Sequence, residues 1–315
     1  MRVRRIFISL VVMIVCAAAS VPAQTTIYEF LRNDVSARAA AMAGSFVSVV
    51  GDPSATFYNP GALATVKESQ AQFGYGRQPV DINSGFASYD QSVEGVGMMH
   101  AGVQYYNYGT MDERDINGTM LGTFSAQDLS VSVSAARELE QNLYCGATVK
   151  FIYSSIADFS STGLAADLGA VYVLAGDNPI TLGASVTNLG SQLSTYDGTK
   201  ESLPTEVAIG ATVKPQHLPL LLSLNFHKLT EKEESFGDHF KQFSVGGELQ
   251  LGKAVRFRAG YANERRRELK TGTSSGLAGF SFGGGLVLEK FRFDYAYSSL
   301  GNIGALSRIT LGVLL

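Results

Sequence analysis

The chain has 315 residues, a formal net charge of −3, 45% hydrophobic residues, only 17% charged residues and 34 glycines. A disordered chain needs low hydrophobicity and a high net charge, so this composition excludes one. Without a basic excess there is no electrostatic basis for a nucleic-acid partner. A charge-poor chain rich in Gly, Phe and Tyr instead favours an all-β protein.

The amino-terminal residues have the pattern of an export signal. Residues 1–5 carry three arginines, residues 6–19 form an uncharged apolar run, and small residues follow in Val21-Pro22-Ala23. The apolar run is shorter than the ~20 residues that a membrane-spanning helix needs. We therefore predict that residues 1–23 are a cleaved signal peptide and that the mature chain begins at Gln24. Cys145 is then the only remaining cysteine, so no intrachain disulfide is expected.

Residues 24–66 lack the alternation found further along the chain. They contain an alanine-rich, helix-like stretch, and Asp52 followed directly by a proline is a typical start of a short helix. Asn59 and Pro60 then predict a turn that leads towards the first strand. We predict a partly helical segment here.

From residue 67 onward, apolar and polar residues alternate. The clearest case is Phe291, Phe293 and Tyr295 against Arg292 and Asp294, and this period of two is that of a β-strand with one apolar face. Most such segments can run for the ~9–11 residues that a tilted membrane-spanning strand needs. Fourteen segments are predicted, at residues 69–76, 83–90, 96–107, 125–136, 142–154, 162–174, 179–188, 205–214, 218–228, 239–251, 254–263, 277–288, 291–299 and 306–314.

These features predict a transmembrane antiparallel β-barrel of about 14 strands over residues 67–315, with its apolar face towards lipid and its polar face towards the lumen. Residues 24–66 would form an amino-terminal plug inside it. Short connectors alternate with longer polar ones, which is expected when the longer connectors face the outside. The longer connectors are predicted at residues 108–124, 192–204, 229–239 and 263–276.

Charged residues on the alternating strands are predicted to face the lumen, because a charge facing lipid near the midplane costs roughly 2–4 kcal/mol. These lumen-facing residues are Glu206, Glu248, Arg256, Arg258, Arg292 and Asp294. The plug contributes the charged residues Arg32, Arg38 and Asp52. Because charges removed from water persist only when they are paired, we expect at least one plug arginine to meet a lumen carboxylate.

The segment before the barrel also carries the signature of a known family. Tyr28-Glu29-Phe30-Leu31, the run 36–44, and Asp52-Pro53 followed by Tyr58-Asn59-Pro60-Gly61-Ala62-Leu63 resemble the amino terminus of PorV/PorQ proteins, with the PorQ branch the nearer. The resemblance covers residues 28–64. It implies a FadL-like outer-membrane barrel of fourteen strands whose amino-terminal segment folds into the lumen. It also implies a role in type IX secretion, which exports cargo across the outer membrane of Bacteroidetes-like Gram-negative bacteria.

No pattern indicates catalysis. Residues 279–283 match a nucleophile elbow, but no histidine follows His239 to complete a triad. Residues 247–254 resemble a phosphate-binding loop but end in Ala254, where Ser or Thr would hold magnesium. The histidines lack the spacing of metal ligands. We predict a protein that is not an enzyme and that holds neither metal nor cofactor.

Three functions remain open, and each makes a different demand on the structure. A component of type IX secretion would bind other secretion or cargo proteins through exposed loops. A FadL-like passive transporter of a hydrophobic small molecule would have an apolar pocket against its plug. A soluble or surface β protein would have no transport role and no lipid-facing band. The family resemblance favours the secretion component, surrounded by outer-membrane lipid.

Overall fold

The structure, a computed structural model, describes residues 26–229, 236–269 and 276–315. The predicted signal peptide, residues 1–23, lies outside the described residues. No helix in the described ranges is long and apolar enough to cross a membrane.

Fourteen antiparallel strands form one closed barrel, in which each strand pairs with its sequence neighbours and β1 pairs with β14. The predicted fold class is thereby confirmed. The strands are β1 Gln70–Arg77, β2 Asn83–Val93, β3 Gly97–Arg114, β4 Met120–Glu140, β5 Leu143–Ile156, β6 Phe159–Leu174, β7 Ile180–Ser194, β8 Glu206–Val213, β9 Leu220–Phe226, β10 Phe243–Leu251, β11 Val255–Ala262, β12 Phe280–Leu288, β13 Phe291–Ser299 and β14 Ala305–Leu314.

Helices are few and short in the described part of the chain. Helix α1 (Ala37–Ala41) lies before the barrel, and helix α2 (Asn263–Glu268) follows β11. Short 3-10 helices occupy Glu29–Arg32, Pro53–Phe57, Pro60–Thr65, Phe236–Lys241 and Gly301–Ile303.

The connector predicted at residues 108–124 is wrong, because most of it is strand. The ladder between β3 and β4 continues past a register shift, from the pair Thr110–Ser125 to the pair Arg114–Met120. Asp115 closes the hairpin, since its Oδ1 accepts hydrogen bonds from the amides of Asn117 (2.9 Å) and Thr119 (2.8 Å). β5 pairs with β4 only from Ala126 onward, so residues 110–125 form a two-stranded ribbon that projects above the barrel. The ribbon was not predicted because the polar residues around its turn are typical of a loop.

The barrel has the reverse polarity of a soluble β protein. Buried polar residues such as Thr148 and Lys150 point into the lumen, and the residues between them point outward and are exposed. This outward apolar band is what a transmembrane barrel presents to lipid. It includes Val131, Val133, Val149, Phe151, Leu164, Leu168, Leu222, Leu224, Phe257, Phe282, Phe293 and Tyr295.

Residues 26–66, called the plug from here on, run through the lumen from one end to the other. At the end where the longer connectors lie, here the loop end, the Ile27 amide donates to the Ser202 carbonyl (3.0 Å). At the opposite, turn end, Leu63 and Val66 pack against Met98 at the start of β3. The plug thus enters β1 from the turn end.

Glycines in the barrel wall make room for the plug backbone. A methyl group added at Gly183 would overlap the Val47 carbonyl, and one added at Gly146 would overlap the Pro60 carbonyl. Glycine at these two wall positions therefore leaves space for the plug backbone to lie directly against the sheet. Part of the glycine excess in the composition is explained by this close approach.

The assignment of outward-facing residues can be tested at Val149, which lies near the middle of β5 and is exposed on the apolar face. Val149→Arg should cost roughly 2–4 kcal/mol of assembly free energy, because the guanidinium would face lipid. We expect little folded barrel in the outer-membrane fraction, measured by the mobility difference between heated and unheated samples on a gel. Val149→Leu is the control and should assemble normally. Equal yields of the two variants would contradict the register.

Candidate functional site

Six charged side chains form a closed ring at the boundary between plug and wall. Arg38 and Asp52 come from the plug, and Glu248, Arg258, Arg292 and Asp294 come from β10, β11 and β13. All are buried except Arg292, which is partly exposed. We call this set the charge ring. The sequence predicted each member as a plug charge or as a lumen-facing residue, but not their arrangement.

The plug half of the ring binds the wall through Arg38. Its Nε and Nη2 donate to the two oxygens of Glu248, both at 2.8 Å, in a bidentate pair. Its Nη1 donates to Oδ2 of Asp52 at 2.9 Å. A bidentate guanidinium–carboxylate pair fixes orientation as well as distance, so the position of α1 against β10 is set by this contact.

The wall half closes the ring. Arg258 donates from Nε to Glu248 (2.6 Å) and from Nη1 to Asp294 (2.7 Å). Arg292 donates from Nε to Asp294 (2.7 Å) and from Nη2 to Asp52 of the plug (2.5 Å). Each of the six charges therefore contacts two charges of opposite sign, and the ring is neutral.

Local structure positions the two plug members. The Ser36 hydroxyl caps α1 by accepting a hydrogen bond from the Ala39 amide (3.2 Å), which places Arg38 in the first turn. Asp52 caps the next 3-10 helix through Oδ1, which accepts from the Ser54 amide (2.9 Å), so Oδ2 is left for the arginines. Burial alone would raise the pKa of Asp52, but Arg292 and Arg38 outweigh it and hold that pKa well below its usual range.

Asn59 and Pro60 lie where the plug turns towards β1. The Asn59 amide nitrogen donates to the carbonyls of Val47 (2.8 Å) and Ala170 (3.0 Å), and its Oδ1 accepts from the Gly61 amide (3.0 Å). Pro60 is the first residue of the 3-10 helix that follows. Asn59 thus joins two plug segments to the wall at β6.

Arg32 lies at the loop end, away from the charge ring. Its Nε is 3.8 Å from Oε2 of Glu206, and its Nη1 is 3.5 Å from Glu29. Glu206 in turn contacts Nδ1 of His227 (3.2 Å), whose Nε2 is 2.8 Å from the Ser244 hydroxyl. Sequence reasoning missed the role of His227, although the residue follows Ser223 and Asn225 on the polar face of the same predicted strand.

Two titratable contacts hold the loop end together. Burial of the His227 ring would lower its pKa, but the hydrogen bond and the charge of Glu206 outweigh burial and raise the pKa of His227. Arg265 of α2 reaches Asp34 of the plug (3.0 Å). Burial would raise the pKa of Asp34, but the charge of Arg265 outweighs it and lowers that pKa. α2 is thereby fastened to the plug.

A cavity lies at each end of the plug. The loop-end cavity has a volume of about 460 Å³ and is lined by Phe30, Leu31, Val35 and Phe243 together with the charged groups around His227. The turn-end cavity has a volume of about 530 Å³. In the described part of the chain no residue lines both cavities, so the plug and the charge ring separate them.

The turn-end cavity contains the remaining predicted lumen residue, Arg256. Its apolar lining includes Val50, Leu220, Leu221, Val287 and Val313, and its polar lining includes Arg256 and members of the charge ring. Arg256 pairs across the sheet with Gln250 and with Gly285. The structure therefore places Arg256 beside the ring, outside its closed circuit.

No protein-family model and no curated protein matches the chain. Solved structures do. The Pseudomonas putida toluene transporter TodX is 14% identical with a TM-score of 0.59, covering 89% of this chain and 97% of its own. The Ralstonia pickettii toluene transporter TbuX is 14% identical with a TM-score of 0.57, covering 88% and 96%. A Pseudomonas aeruginosa FadL homologue is 11% identical with a TM-score of 0.56, covering 92% and 99%.

These similarities show a shared fold along most of the chain. The FadL-like part of the sequence prediction is confirmed at the level of fold. The assignment to PorV/PorQ stays a prediction that rests on residues 28–64.

The charge ring generates a stability prediction. Glu248→Gln removes the charge that Arg38 and Arg258 share, and it should destabilise the seated plug by about 1.5–3 kcal/mol, the range for hydrogen bonds to charged groups. The midpoint of thermal unfolding in detergent should fall. Glu289→Gln, an exposed carboxylate in the connector after β12, is the control and should leave the midpoint unchanged. Equal midpoints for both variants would show that the ring does not hold the plug.

The raised pKa of His227 predicts how the stability of the protein depends on pH. A histidine whose pKa is raised on folding stabilises the fold fully below its ordinary value, near 6.5, and this contribution is lost as the pH rises through the raised value. The unfolding midpoint should therefore decrease as the pH is raised above that range. His227→Gln should remove this part of the pH dependence. A wild-type profile that is flat there, or one unchanged in the variant, would contradict the assignment.

Proposed function

We propose that the protein is an outer-membrane conduit for a small hydrophobic molecule, which passes through the plugged lumen without chemical change. The observation that carries this proposal is the pair of cavities that flank the plug, each with apolar residues against it. Passive passage needs no catalytic group, which agrees with the expectation that the protein is not an enzyme. The outward apolar band supports residence in an outer membrane.

The two cavities support transport to different degrees. A transporter was expected to have an apolar pocket against the plug, and the turn-end cavity, with Val50 of the plug among its mainly apolar lining, is the nearer to it. The loop-end cavity has apolar plug residues, Phe30, Leu31 and Val35, beside many charged groups. The similar structures named above are of toluene transporters and a FadL homologue, which also supports passage of a hydrophobic molecule.

The secretion role is the second candidate, and one observation favours it. The ribbon of residues 110–125 projects beyond the barrel and exposes Ile116, Met120 and Leu121 at its tip. Such a surface could bind protein, as a secretion component would require. The conduit is the better supported function, because the cavities and the fold similarities both favour it.

Locking the plug tests the conduit directly. The hydroxyl oxygens of Ser45 in the plug and Ser223 in β9 are 3.0 Å apart, so Ser45→Cys with Ser223→Cys places two thiols within disulfide reach. We expect the oxidised variant to lose protein-dependent uptake of an uncharged aromatic hydrocarbon by cells, and reduction to restore it. The reason is that both cavities end at the plug, so the molecule must pass it.

Each single cysteine variant is the matched control and should behave like the unmodified protein in both redox states. Uptake that never exceeds that of cells lacking the protein would overturn the conduit itself. Full uptake in the oxidised double variant, with the disulfide verified by its gel mobility, would show that passage does not require movement of the plug at this point.

A further inference from the structure

The turn at the end of the projecting ribbon contains an acceptor pattern for a covalent modification. Residues 115–119 have the sequence Asp-Ile-Asn-Gly-Thr. Within it, Asn117 is followed two residues later by Thr119, and the residue between them is not proline. An asparagine in this pattern is an acceptor for N-linked glycosylation. The chain has eleven asparagines, and Asn117 is the only one with Ser or Thr two residues later.

The ribbon carries this turn away from the barrel at the loop end. The pairing of β3 with β2 stops at Asn107, and the pairing between β3 and β4 continues to Arg114. The five residues from Thr110 to Arg114 therefore place roughly 17 Å of strand between the barrel and the turn. The side chains of Asn117 and Thr119 are exposed. A transferase can thus approach Asn117 without meeting the barrel wall or lipid.

The geometry of the turn explains only part of this sequence. Oδ1 of Asp115 accepts hydrogen bonds from the backbone amides of Asn117 (2.9 Å) and Thr119 (2.8 Å). The Gly118 amide donates to the Asp115 carbonyl (2.9 Å), and Gly118 has a φ of 84°, which favours glycine. Asn117 and Thr119 take part in these contacts through their backbones. The turn therefore requires neither the carboxamide of Asn117 nor the hydroxyl of Thr119.

Asp115 also places a negative charge two residues before the acceptor. The hydrogen bond from the Thr119 amide is the main cause that lowers the pKa of Asp115, and the side chain of Asn117 contributes less than the backbone amides do. The carboxylate is thus ionised at neutral pH, and the Asn117 carboxamide is only weakly engaged. The acceptor pattern of bacterial N-linked glycosylation includes an acidic residue at this position.

We propose that Asn117 is an acceptor site for N-linked glycosylation, with an oligosaccharide joined through diphosphate to a polyprenyl lipid as the donor. In the transfer, Nδ2 of Asn117 forms a bond to C1 of the first sugar, and the bond between C1 and the diphosphate oxygen breaks. The lipid diphosphate leaves with the electron pair of that bond, and one proton of the carboxamide passes to a base of the transferase. The site does not depend on what passes through the lumen.

Mass spectrometry of the full-length protein tests the site. The protein is produced in a Gram-negative host that also expresses a periplasmic oligosaccharyltransferase and its lipid-linked oligosaccharide. Barrels are isolated from the outer-membrane fraction, and their assembly is verified by the mobility difference between heated and unheated samples on a gel. We expect one oligosaccharide per chain, on the peptide that contains Asn117, and none on the Asn117→Gln variant. An unmodified Asn117, in cells that glycosylate a second exported protein with an established acceptor site, would overturn the proposal.

Variants of the flanking residues distinguish an acceptor site from a turn. Thr119→Ala removes the hydroxyl but keeps the backbone amide that binds Asp115, so it should assemble normally and lose the oligosaccharide. Thr119→Ser is the matched control and should remain glycosylated. Asp115→Asn keeps an acceptor oxygen for the turn but removes the charge, and its glycosylated fraction should decrease.

Two results would contradict the assignment. An oligosaccharide that persists in assembled Thr119→Ala would show that the acceptor pattern is not what the transferase recognises. Deamidation of Asn117 without any attached sugar would show that the turn has only the intrinsic reactivity of an Asn-Gly sequence.

Discussion

The ion pairs between plug and wall are the constraint on which the rest of the structure depends. The wall supplies an open chain of alternating charges, from Glu248 through Arg258 and Asp294 to Arg292. Glu248 at one end of that chain and Arg292 at the other can each bind one further group of opposite charge. Arg38 and Asp52 of the plug, already paired with each other, join those two ends and close the ring. Buried charges require such pairing, so the wall specifies where the plug lies.

Apart from the ionic contacts of Arg32 and Asp34 at the loop end, the other contacts of the plug described here are short and uncharged. Ser45 meets Ser223 (3.0 Å), Ser48 meets Thr212 (2.7 Å), and Asn59 reaches the Ala170 carbonyl (3.0 Å). Neutral hydrogen bonds of this kind contribute about 0.5–1.5 kcal/mol each. Where the wall has glycine, as at Gly183, the backbones touch without any side chain between them. The plug is therefore held by the charge ring, by the ionic contacts at the loop end and by many weaker hydrogen bonds.

The sequence predicted the faces of the strands but not the partners of the charges. A period of two decides which residues of a strand face inward, so Glu248, Arg258 and Asp294 could be placed in the lumen before the fold was known. Pairing within the ring depends on how far the plug reaches into the barrel, which no local pattern encodes. Arg256 shows this limit, because the same alternation placed it in the lumen and gave no sign that it lies outside the ring.

Contacts made by connectors were the least predictable part. Arg265 and Asp34 are far apart in the chain and meet only because α2 folds over the loop end. The ribbon of β3 and β4 was interpreted as a loop because its turn residues are polar, although backbone pairing continues to Arg114. Strand continuity there depends on the partner strand rather than on the local composition.

The geometry of the ring bears on whether a seated plug can also move. Within the ring, withdrawal of the plug would break only the contacts of Arg38 with Glu248 and of Arg292 with Asp52. Arg38 would keep Asp52, since both belong to the plug, and the four wall charges would keep one another. Neither half of the ring would carry a net charge, and no ion of the ring would lose its last partner. Leaving a buried charge unpaired is the expensive step when an ion pair is broken, and this arrangement avoids that step. A ring divided between two neutral halves can therefore fix the closed position and still open with the loss of only two of its own six ion pairs.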